Sequence, residues 1–120
     1  MSKGATSVFV FSIYLFVLGV MLVAVPNVLL SPFGFAETTD VWVRVVGMLV
    51  LILGYYYNHA ARQDLTSFFR CTVYARFGVL AFFVAYVALG LAPPALVLFG
   101  VVDAAAALWT ALTLRADSRA

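Results

Sequence analysis

The sequence predicts an all-α fold: an integral membrane four-helix bundle in up-down order, with both termini cytoplasmic. Three observations carry that reading. The chain is 66% hydrophobic and only 10% charged, where a soluble domain holds about 25% charged residues. Its 120 residues contain four apolar runs, each near the roughly 20 residues a helix needs to cross a bilayer. Outside those runs, lysine and arginine occur on alternate flanks only. The chain then forms a single four-span membrane domain, with spans at about 7–25, 41–57, 73–91 and 95–114.

The first span follows a short polar lead containing Lys3 and runs unbroken from Ser7 to Val25. A basic start followed by apolar residues also fits a cleaved signal peptide. That apolar core is ordinarily about 7–15 residues and ends at a small-residue site; the run here is longer, so a retained span is expected. Pro26 ends or kinks the helix, because proline lacks the N–H and collides with the preceding turn. The segment from Pro26 to Phe35 holds two prolines and a glycine and reads as an apolar connector at the membrane surface.

Ala36-Glu37-Thr38-Thr39-Asp40 is the one acidic stretch, and Thr39 or Asp40 can cap the second span by accepting an orphan backbone N–H. That span closes on Tyr55-Tyr56-Tyr57-Asn58-His59, where tyrosines suit the headgroup layer. Ala60–Thr72 is the main polar connection. Asp64 is a candidate cap for a helix running through Phe68-Phe69-Arg70 into the third span. Ala92-Pro93-Pro94 is a tight uncharged turn into the fourth span, and Arg115 to Ala120 is a polar tail.

Lys3, Arg62, Arg70, Arg115 and Arg119 flank the spans on one side, and the other two connectors have no lysine or arginine. Basic residues stay on the cytoplasmic face. Both termini and the Ala60–Thr72 connector therefore belong there. The expected location is a cell membrane, crossed several times, and specifically the bacterial inner membrane.

Within the spans, Asp103 lies eight residues into the fourth, roughly 12 Å deep, and Arg44 about one turn, roughly 5 Å, into the second. Ionisable groups at such depth face a protein interior and a partner. Arg44 and Asp103 enter from the same side, so they are the natural ion pair if their helices touch. The plain reading of the pair is a clasp that fixes helix register. The sharper reading is a proton, ion or ligand site, and a neutral Asp103 bonded to a neighbouring helix is a third. Small residues share faces with these charges: Gly47, Leu51, Gly54 and Asn58 with Arg44, and Gly100, Ala107 and Thr110 with Asp103. Tyr74, Gly78, Ala81, Ala85 and Ala88 make a third stripe. Such stripes ordinarily mean close helix packing in lipid.

Secondary candidates are His59, Arg76, Tyr55 and Thr110. His59 reads as an interfacial residue, with proton transfer or headgroup binding as the functional alternative. Arg76, one turn into the third span, is expected to snorkel to lipid phosphates. Cys71 is the only cysteine and His59 the only histidine, so no internal disulfide, metal set or two-histidine haem site can be assembled. No nucleotide loop or nucleophile triad is visible. The net charge of +2 does not suggest nucleic-acid binding. No catalytic residue stands out, and the cofactor is unknown.

Arg44-Val45-Val46-Gly47 and Leu53-Gly54-Tyr55 in the second span, with the Asp103 stretch in the fourth, resemble small four-span bacterial membrane proteins of the DoxX-like kind. The resemblance implies a four-helix membrane bundle of mostly unassigned activity, with some relatives tied to quinone-linked redox chemistry. The leading expectation is a non-enzymatic assembly or accessory subunit, partnered by the bilayer and by itself or a membrane complex. The alternative is a small transporter or a binding protein for a lipophilic molecule such as a quinone, using Asp103. A membrane enzyme working through Asp103 or His59 ranks third.

Overall fold

The computed structural model describes residues 1–119, and no strand occurs among them. Helix α1 spans Lys3–Ala24, α2 Pro26–Leu30, α3 Val41–Arg62, α4 Thr66–Ala88 and α5 Leu96–Arg119. Four of these, α1, α3, α4 and α5, are 22 to 24 residues long and apolar enough to cross a membrane.

The helix ends follow local chemistry. At the start of α1, the Ser2 hydroxyl oxygen accepts from Ala5 N at 3.1 Å. The Asp117 carboxylate, from the end of α5, accepts from Lys3 N and Gly4 N at 3.2 and 2.8 Å. An anion at a helix N-terminus satisfies orphan donors and complements the dipole, so the two ends of the chain are tied together. Helix α1 stops at Ala24, one residue before the dipeptide that proline governs. Asp40 caps α3 as expected, its Oδ1 accepting from Trp42 N at 3.1 Å.

Asp64 does not cap α4. It takes a left-handed φ of 53° in the turn, its side chain accepts from the Ser2 hydroxyl at 2.7 Å, and Leu65 occupies the cap position. The end of α4 is a Schellman turn: Gly90 has φ 75°, and Leu91 N and Gly90 N donate to Tyr86 O and Val87 O at 2.9 and 3.0 Å. Only glycine takes that φ without strain.

Helix α1 is the central column, with 39% of its apolar window buried against 11–17% for the other three. Helix α3 packs antiparallel along it, and the register is set by the predicted small stripe. Gly19 of α1 lies against Leu51 and Gly47, and Gly54 lies against Leu15 and Phe16. Asn58 Nδ2 donates to Ser12 Oγ at 3.2 Å. Helix α5 packs antiparallel on both α1 and α4. Helices α3 and α4 meet at the turn that joins them, where Tyr57 and Phe68 make an edge contact with centroids 5.5 Å apart. Beyond it they share no extended contact.

The fold therefore has one tight end and one open end. The tight end holds the core of Ala5, Val8, Phe11, Leu15, Tyr57, Ala60, Ala61 and Phe69. The open end is roofed by the 26–35 connector, whose Phe33 ring meets Phe99 of α5 with centroids 5.1 Å apart. Asn27 fixes the loop that follows by exchanging two hydrogen bonds with the Thr38 backbone, at 2.9 and 3.1 Å.

The third predicted stripe, Tyr74-Gly78-Ala81-Ala85-Ala88, faces outward. Tyr74 is 80% exposed, and a Cβ at Gly78 would meet nothing within 4 Å. The inward face of α4 is the bulkier one of Phe69, Thr72, Arg76, Val79 and Phe83.

Candidate functional site

Of the sequence-predicted residues, the structure keeps Arg44 and Asp103 apart. The stripe that carries Arg44 faces α1, and α1 stands between α3 and α5. Arg44 Nη1 instead donates to the Val23 carbonyl. That carbonyl lies in the last turn of α1, where Pro26 interrupts the helical ladder, so a cation there both satisfies an orphan acceptor and complements the helix C-terminus. Arg44 caps α1. It does not clasp α5.

The buried cation is Arg76, not a snorkelling one. It is 2% exposed. Its Nε donates to Thr72 O at 3.2 Å, and its Nη2 donates to Thr72 Oγ1 at 3.1 Å and to Thr110 Oγ1 at 2.9 Å. Thr110 in turn shares a 2.9 Å hydroxyl contact with Ser7, so three helices meet at this guanidinium. Its Cζ sits 4.8 Å from the Phe11 ring centroid and 6.0 Å from that of Tyr57, a cation–π arrangement strengthened by desolvation. Among the described residues Nη1 has no hydrogen-bond partner. The expectation of snorkelling fails because Arg76 falls on the face of α4 that meets α1 and α5. Thr72, one turn before Arg76, was the available signal: a hydroxyl at that spacing offers a buried guanidinium an acceptor on its own helix.

Thr110 sits in this buried polar cluster, while His59 and Tyr55 are elsewhere. Both are exposed and stack on one another on the outside of α3, with centroids 6.3 Å apart. Cys71 is exposed as well.

Asp103 lines a cavity of about 320 Å³ at the open end. Leu18 and Leu22 of α1, Val50 and Leu53 of α3, and Val79 and Phe83 of α4 form its walls. Leu30 and Phe35 of the connector lie across it. The cavity exists because α3 and α4 diverge from their common turn, leaving a gap on the flank of α1 that no side chain fills. Asp103 is its one charged lining residue, and the Tyr14 ring stands beside it on α1. No hydrogen bond from the described residues reaches the Asp103 carboxylate. Arg76 is held by Thr72 and Thr110 through Nε and Nη2 and makes no hydrogen bond to Asp103. Chemically the cavity offers an apolar slot with one unmatched acceptor. Among the described residues no group of histidine, cysteine and acidic side chains could hold a metal ion. No family model, curated protein or solved structure matches the chain.

Proposed function

We propose that this is a four-span membrane protein that binds a lipophilic molecule bearing a hydrogen-bond donor, an amine or a hydroxyl, in the cavity that ends at Asp103. The observation that carries the reading is the combination of apolar walls and a carboxylate with no hydrogen-bond partner among the described residues. An ionisable group in lipid is costly unless matched, and small-molecule sites are concave, apolar and fixed by few polar groups. A sealed Arg44–Asp103 contact would have favoured the accessory-subunit reading; Arg44 instead donates to the Val23 carbonyl, and a cavity reaches Asp103.

A photoreactive long-chain alkylamine, used with protein in lipid nanodiscs, tests this. The label is expected on cavity walls, and Asp103→Asn should weaken labelling about tenfold, the scale of one charge-assisted hydrogen bond. Val79→Trp, which fills the slot, should abolish it. Labelling unchanged in both variants rejects the site.

The proposed orientation places both termini and the α3–α4 turn in the cytoplasm, from the distribution of Lys3, Arg62, Arg70, Arg115 and Arg119. The cavity then lies in the outer half of the membrane. In a Cys71→Ser background, a membrane-impermeant thiol reagent applied from outside should modify Ala36→Cys and miss Gln63→Cys. The opposite pattern inverts the protein.

A further inference from the structure

A second groove lies at the tight end, between α4 and α5 on the outside of the bundle, with a volume of about 320 Å³. Its floor is apolar, built from Val73 and Phe77 of α4 and Ala111 and Leu114 of α5. Arg70 and Arg115 stand at its rim, one from each helix. Both are exposed. Neither is joined to a carboxylate among the described residues, and the acids nearest them in sequence, Asp64 and Asp117, accept from the Ser2 hydroxyl and from the backbone amides of Lys3 and Gly4.

We infer that this groove is a binding site for one anionic phospholipid, its phosphate bridging Arg70 and Arg115 and one acyl chain lying along the apolar floor. The inference rests on the membrane reading, not on the Asp103 cavity. Charge complementarity selects the occupant. Two guanidinium groups, unpaired among the described residues, line one groove where the apolar part of the helices ends, at the depth of lipid phosphates. Arginine forks match phosphate oxygens in two-point geometry. A free phosphate would match the arginines but leave the floor exposed, whereas a lipid covers both. A zwitterionic lipid would bring its own cation to the same pair and lose the advantage.

Native mass spectrometry of the protein, exchanged from nanodiscs of equal phosphatidylglycerol and phosphatidylcholine, tests the site. One phosphatidylglycerol per protomer should be retained in preference to phosphatidylcholine. Arg70→Gln with Arg115→Gln should lower that retention roughly tenfold or more, as loss of two interfacial cations implies. Arg62→Gln with Arg119→Gln removes two cations from the same end but not from the groove, and should leave retention unchanged. Equal loss in both double variants would mean general attraction to the basic surface, and no loss in the first would mean no site; either overturns the inference. Retention of inorganic phosphate at the level of the lipid would also overturn it. Because Asp103→Asn leaves this groove intact, failure of the alkylamine experiment and failure of this one are separable.

Discussion

Arg76→Ala is expected to lower the stability of the protein by about 3–5 kcal/mol, the range for truncating a large buried side chain. The side chain is one of the largest fully buried in the molecule and joins α4 to α5 through Thr110 and to α1 through the Phe11 ring. Its removal leaves a void at the meeting point of three helices and takes the donor away from two threonine hydroxyls. Arg76→Met separates these effects, because it keeps most of the volume and discards the hydrogen bonds. It should cost less than alanine. Arg76→Lys keeps a charge but not the fork that reaches Thr72 and Thr110 together, so it should fall below wild type as well. Unfolding of detergent-solubilised protein by SDS titration, followed by circular dichroism, measures all three. An alanine variant within about 1 kcal/mol of wild type, less than the usual cost of a buried truncation, would show that the cluster does not hold the helices together.

The second large effect is at Gly47, with Gly78 as its opposite. A Cβ at Gly47 would stand 2.8 Å from Leu22 Cβ and 2.9 Å from the Val23 backbone nitrogen. A backbone atom cannot rotate aside, so α1 and α3 must separate. Overpacking of this kind costs about 1–3 kcal/mol; Gly47→Ala should show that loss and Gly47→Val a larger one. The same substitution at Gly78 meets open space, and the better helix propensity of alanine should raise stability by up to about 1 kcal/mol. Equal losses at both positions would mean that the outer face of α4 packs against something as closely as α3 packs against α1. The same SDS titration compares the two, and their opposite signs are the diagnostic result.

Both predictions turn on faces that the sequence marks unequally. The Gly47-Leu51-Gly54-Asn58 stripe is legible because its members recur at helical spacing, and it does meet another helix. Gly78-Ala81-Ala85-Ala88 has the same spacing and meets none among the described residues. Small residues permit close approach but do not attract, so a stripe of them marks where a helix can pack, not where it does. The inward face of α4 was written in larger residues. Asp103 was legible as an intramembrane acid, and the cavity beside it was not, since a gap between α3 and α4 leaves no periodicity in either.

By itself the sequence determined what depends on composition and neighbours along the chain. Length and apolar content set four helices able to cross a membrane. Pro26 set the end of α1, and Asp40 set the start of α3. Basic residues on alternate flanks set the expected orientation. Tertiary structure alone decided which helices touch. Placing α1 between α3 and α5 sent Arg44 to the Val23 carbonyl, turned Arg76 inward to Thr110, and left Asp103 facing a cavity. The reason is physical: a helix advertises its faces through local periodicity, but its partner is chosen by the packing of all four helices at once, and a charge finds its place only after that choice.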